Sequence, residues 1–97
     1  EQTNYAIGKY GKMRLNFMKA HRKGTYTTIL TQGRLNSYLH GIDEAAEVQL
    51  SKIISETAQR LGVTEQMKAE NQLEWVRMMN NIKHSAEETV LKELIYV

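Results

Sequence analysis

Apolar residues recur every three or four positions through most of this chain. Leu35, Leu39, Ile42, Ala46, Leu50, Ile53, Thr57 and Leu61 draw one stripe, the pattern of a helix that buries a single face. Gly62 follows, where a left-handed residue ends such a helix. Thr64 is placed to cap the next one, with Glu65 at the positive end of its dipole. Met67, Leu73, Val76, Met79, Ile82 (or Lys83), Ala86, Val90 and Leu94 trace that next helix. Two helices of about 28 and 30 residues, each on the order of 40 Å long at 1.5 Å per residue, then face each other across a short turn. A connection that short makes them antiparallel neighbours.

The first third is less regular. Residues 1–7 carry no period and are expected to form a lead-in. Met13, Leu15, Phe17 and Met18 are compatible with a helix from about Tyr10 to Lys23, broken at Gly24 as a cap or tight turn. Thr25 or Gly24 can cap a short second helix, Tyr26 to about Gln32, which Gly33 stops. Its threonines are poor helix formers. The expected architecture is one all-α domain over residues 1–97. It comprises a lead-in (1–7), a basic short-helix unit (8–33) and a long antiparallel helical hairpin (34–97) on which the shorter helices pack. Glu70, Asn71, Asn80 and Asn81 lie as polar residues inside the return helix, with Asn71 or Asn80 read as semi-buried and fixing the hairpin register; the other reading is a polar contact surface beside Trp75. Val48, Ile54, Trp75, Met78, Leu91 and the closing Leu94-Ile95-Tyr96-Val97 lie off the main stripe. Covering them calls for the N-terminal unit or a second copy, hence an expected homodimer.

Composition changes this picture only slightly. Ninety-seven residues without Cys or Pro suit one helical domain with neither disulfides nor thiolate metal sites. There is no apolar run long enough to span a bilayer and no signal-peptide pattern, so no membrane association is expected and a cytoplasmic location is. The chain opens on Glu1 rather than Met, read as a trimmed or processed start.

Charge changes the picture more. The net charge is only +2, but it is unevenly spread. Residues 1–34 hold Lys9, Lys12, Arg14, Lys19, Arg22, Lys23 and Arg34 against Glu1 alone, a net of +6. Residues 35–97 hold six basic and ten acidic residues, a net of −4. Such asymmetry marks a surface for nucleic acid or another polyanion. The alternative is that the two halves attract each other within the fold.

Candidate chemistry is sparse. The only histidines are His21, His40 and His84, none in a triad order with an acid. His84 and Glu87 share a helix face, but a metal site needs further ligands from a facing helix. Asp43-Glu44 and Glu87-Glu88 are adjacent in sequence, point apart and read as solvated. With no phosphate-binding glycine loop, the expectation is a protein that is not an enzyme and uses no cofactor or metal. The segment from Thr25 to Ile42 has the layout of a helix-turn-helix, with Gly33 at the turn and Leu39 and Ile42 packing inward; the plain alternative is a helical corner. Arg34, Asn36, Ser37 and Tyr38 are residue types that reach base edges, and Lys9, Lys12, Arg14, Lys19, Arg22 and Lys23 are suited to phosphates.

Several stretches resemble the TnpV-type transposon-encoded proteins: Ile7-Gly8-Lys9-Tyr10-Gly11, His21 to Thr27, Gly33 to Leu39, Thr64 to Asn71, Leu73-Glu74-Trp75, Met79 to Ile82 and Glu93 to Val97. They cover roughly residues 7–97 in order. The resemblance implies a mobile element of bacteria and a small accessory or DNA-binding protein, for which a helix-turn-helix is sometimes suggested. It implies no catalytic residues. It also implies a further segment upstream in other members. Two functions follow as expectations. One is DNA binding or regulation in transposition or excision, through the ten residues Lys9, Lys12, Arg14, Lys19, Arg22, Lys23, Arg34, Asn36, Ser37 and Tyr38. The other is an interaction module acting on a recombinase, with its surface around Trp75 and Met78.

Overall fold

Two glycines set the corners of the chain. Gly33 and Gly62 have φ of 71° and 73°, a left-handed geometry that a side chain disfavours. The computed structural model describes residues 4–97; residues 1–3 lie outside the described residues. Five helices follow in order: α1 (Lys9–His21), α2 (Lys23–Thr31), α3 (Leu35–Arg60), α4 (Glu65–Glu70) and α5 (Gln72–Val90). The last runs on into a π-helical turn, Leu91–Ile95. No strand occurs among the described residues, and the fold is all-α.

Gly33 ends α2 and Gly62 ends α3, as the apolar pattern predicts. Thr64 caps α4, its side chain accepting from the Met67 N–H at 3.2 Å. Two expectations need correction. The chain between the first two helices bends at Arg22 (φ −136°, ψ 52°), not at Gly24. Gly24 lies in the first turn of α2 with open space where a Cβ would stand, so its missing side chain does not make the bend. The return limb is not one helix of about 30 residues. It breaks at Asn71 (φ −150°, ψ 78°), whose side chain accepts from the Glu74 N–H at 3.2 Å and caps α5. Asn71 and Asn80 are both exposed, so neither fixes register inside the hairpin seam.

The core gathers at one end of the hairpin. Tyr10 of α1, Ala46 of α3, Val90 of α5 and Ile95 of the π-helical turn form a buried cluster, with Met13, Ile42, Leu50, Ile53, Leu91 and Leu94 packed on it. Three layers meet there: α1 lies on α3 and on the π-helical turn, and α3 lies on α5. Toward Gly62 the hairpin thins to α3 against α5, with α4 resting on α5. The principal extents are 55 × 28 × 18 Å and the radius of gyration is 17.1 Å, against about 13 Å for a compact domain of this length. The C-terminal tail is anchored within the chain itself: Ile95 is fully buried, although Tyr96 and Val97 stay about half exposed. Among the described residues no helix is long and apolar enough to cross a membrane.

Candidate nucleic-acid interface

Helix α1 is amphipathic in an unusual way, because its outer face is basic rather than mixed. Successive residues turn by about 100°, so Lys9, Lys12, Asn16 and Lys19 fall within about 80° of arc. All four are exposed. The opposite face carries Tyr10, Gly11, Arg14 and Met18, all buried. Arg22 and Lys23 follow at the bend and are exposed, as is Arg34 beyond Gly33.

The start of α1 has no capping side chain of its own, since Gly8 precedes it. Asp43 of α3 supplies the cap through space. Its two carboxylate oxygens accept from the Gly8 and Gly11 N–H groups, each at 2.6 Å. Charged acceptors on orphan N–H groups at a helix start are among the stronger hydrogen bonds. Asp43 is therefore a half-buried helix cap and not the solvated residue its sequence neighbours suggest. The signal that could have found it is negative: a helix start with no Ser, Thr, Asp or Asn must be capped from elsewhere.

Two of the basic residues are engaged by other parts of the chain. The Lys9 ammonium contacts Glu87 Oε2 at 2.5 Å, and the Tyr10 hydroxyl donates to the same oxygen at 2.9 Å. These two donors, Lys9 first, hold the Glu87 carboxyl below the usual carboxylate range. Burial, and then the bond to Glu87, pushes the Tyr10 hydroxyl up to about 12. Arg14 is not a phosphate contact. It is 7 % exposed; Nη1 donates to the carbonyls of Ile95 and Val97, each at 2.9 Å, and Nε donates to the Tyr38 hydroxyl at 3.2 Å. A guanidinium satisfies three acceptors there because its donors form a planar fork.

The expected base-reading group is likewise largely occupied. Asn36 uses both ends of its amide on the lead-in: Oδ1 accepts from the Tyr5 N–H at 2.6 Å, and Nδ2 donates to the Tyr5 carbonyl at 2.9 Å. The Ser37 hydroxyl donates to the Arg34 carbonyl at 3.2 Å. Tyr38 is half-buried and accepts from Arg14. Of the four, Arg34 alone points a charged group outward, with Nε donating to Gln32 at 2.8 Å. The helical corner α2–α3 exists, but Asn36 and Tyr38 at the start of α3 spend their polar groups on the lead-in and on α1.

At the far end, Trp75 and Met78 are half-buried, and the Lys68 ammonium sits 4.7 Å from the Trp75 ring centre. Leu73, 82 % exposed, and Val76 are exposed apolar residues there, as is Leu61 at the turn. Leu73 and Val76 line a shallow groove with Asn71, Glu74, Arg77 and Asn80. His84 faces Glu88 at 3.5 Å rather than Glu87. Among the described residues no three His, Asp or Glu side chains are grouped to hold a metal.

In this all-α chain a short cationic helix lies on the root of a longer helical hairpin. The family model described as transposon-encoded protein TnpV matches residues 1–95, and the chain belongs to that family. No curated protein and no solved structure matches it.

Proposed function

We propose that this transposon-encoded protein is a DNA-binding accessory factor that grips phosphates with α1, the start of α2 and Arg34. One observation carries the reading. Among the described residues no carboxylate lies within ion-pair distance of Lys12, Lys19, Arg22, Lys23 or Arg34. If the charge asymmetry served only to hold the two halves together, these cations would meet the acidic hairpin; Lys9 alone does. An unneutralised basic stripe gains its energy from releasing counterions off a polyanion. The occupied state of Asn36 and Tyr38 argues for contacts to the backbone of the nucleic acid rather than to base edges.

With five phosphates neutralised, the slope of log affinity against log salt is expected near −4.5 on duplex DNA and about −3.5 on a single strand. Changing Lys12 and Lys19 together to Glu should flatten that slope by about 2 and weaken every sequence alike. A fluorescence-anisotropy titration between low and moderate salt checks this. Salt-independent binding, or no binding at low salt, refutes the reading.

A second reading uses the other end, and the exposure of Leu73 favours it. The hairpin there has only two helical layers, and Leu73 and Val76 project from the thinner part. We read this face as the dock for a second copy of the chain. Light scattering at micromolar concentration should return twice the monomer mass, and Leu73→Glu should return it to the monomer. A monomer mass throughout, with capture of the element's recombinase on the same face, would move the surface to that partner.

A further inference from the structure

We infer that the nucleic acid held at this surface is single-stranded, with one of its bases stacked on the ring of Tyr96. The inference rests on the phosphate-binding reading above and goes beyond it by naming the form of the ligand.

Two cation–ring pairs stand at the end of α1, and the one formed by Arg22 adjoins Phe17 and Tyr96. The Lys19 ammonium lies 5.8 Å from the Tyr26 ring centre, and the Arg22 guanidinium lies 5.4 Å from that of Phe17. Phe17 in turn meets His21 at 5.0 Å and Tyr96 at 5.4 Å, both tilted. Phosphate binding alone has no use for rings. In a duplex the base faces are covered by their neighbours, so a protein ring gains nothing from them. A single strand offers phosphates to Lys and Arg and open base faces to aromatic side chains, and surfaces that bind it combine the two.

Tyr96 is the ring best prepared for this role. The residue is 47 % exposed, whereas Ile95 before it is fully buried. Its backbone is held in place: the Tyr96 N–H bonds the Leu91 carbonyl at 2.8 Å. Arg14 fixes the carbonyls of the residues on either side, Ile95 and Val97. The ring thus projects from a rigid support, so a base that stacks on it need not first order the chain. A ring that served only to seal the tail against Phe17 would be covered, as Ile95 is.

The test uses the full chain and four labelled probes with the same number of phosphates: oligo(dT), oligo(rU), an abasic deoxy strand and a duplex. The expected result at low salt is that oligo(dT) or oligo(rU) binds about tenfold or more tighter than the abasic strand, the gain typical of one stacked base. Whichever of the two binds tighter names the chemistry of the natural strand. Tyr96→Phe should keep the preference for bases over abasic sugar, and Tyr96→Leu, which preserves packing on Phe17, should bring the ratio close to one. Circular dichroism confirms that each variant is folded. Equal affinity for base-bearing and abasic strands, or a duplex bound tighter than either oligonucleotide, overturns the inference and leaves phosphate binding standing. Failure of all four probes at low salt overturns both.

Discussion

Replacing Arg14 by Ala is expected to lower the unfolding free energy by about 3 kcal/mol, because it removes donors from a buried end of the chain. Composition places Arg14 among the phosphate-binding residues, whereas geometry places it at the junction of α1, α3 and the C-terminal tail. Its guanidinium holds the Ile95 and Val97 carbonyls and the Tyr38 hydroxyl. The Ile95 carbonyl bond is fully buried. Each hydrogen bond from a charged donor contributes about 1.5–3 kcal/mol, and a buried carbonyl left without a donor adds a desolvation penalty. The positive charge also faces the carbonyl end of the final helical turn, where the dipole favours it. Arg14→Lys should recover less than half of the loss, since one ammonium cannot reproduce the planar fork. For a domain of this size 3 kcal/mol corresponds to a melting shift of about 12–24 °C. Urea denaturation of the two variants checks this. A change below about 0.5 kcal/mol, the level of an ordinary surface substitution, would return Arg14 to the phosphate-binding group.

The position of Arg14 was legible in part. Tyr10, Arg14 and Met18 stand four residues apart, so Arg14 lies on the buried stripe of α1 and not among Lys9, Lys12 and Lys19. A count of charges over residues 1–34 ignores direction and merges the two faces. Elements set by local chemistry were readable directly: the stops at Gly33 and Gly62, the cap at Thr64 and the stripe along α3. The break at Asn71 also left a local trace. Met67 and Leu73 are six apart, out of phase for a continuous stripe, and Asn71 stands three residues before Glu74, the spacing of a helix start with its cap. The uninterrupted run of good helix formers on either side hid it. Asp43 and Asn36 were not legible in the same way. Each spends its side chain on backbone groups more than thirty residues away, and no periodicity reports a partner that only the tertiary fold supplies. The same limit governs the interface. Lys12, Lys19, Arg22, Lys23 and Arg34 were identifiable as cations, but their lack of acidic partners among the described residues depends on where α1 lies relative to the hairpin.

That position of α1 depends on Gly11, and Gly11→Val is expected to cost about 3 kcal/mol of stability, at the upper end of overpacking effects. A Cβ at residue 11 would stand 2.5 Å from Ile7 Cγ2, 2.8 Å from Asp43 Oδ2 and 3.0 Å from the Leu39 carbonyl oxygen. The Ile7 side chain can rotate, but the Leu39 oxygen belongs to the backbone of α3. Asp43 cannot retreat without releasing the Gly8 and Gly11 N–H groups that it caps. Valine adds two further methyl groups to this contact and is stiff about χ1, so α1 must lift away from α3. Lifting it also strains the Lys9 and Tyr10 contacts to Glu87. Gly41→Ala provides the internal control: Gly41 lies within α3 with nothing within 4 Å of its would-be Cβ, and this change should stabilise by up to about 1 kcal/mol through helix propensity alone. Opposite signs for the two substitutions, read from urea midpoints, separate close approach from propensity. If Gly11→Val is as mild as Gly41→Ala, α1 does not sit in a glycine notch on α3. The orientation of the basic stripe, on which the proposed grip depends, would then have no structural anchor at that point. If Gly11→Val is severe, the Gly8-Lys9-Tyr10-Gly11 motif is a docking notch that holds the cationic face outward, with its own lysine paired to Glu87 beside the contact.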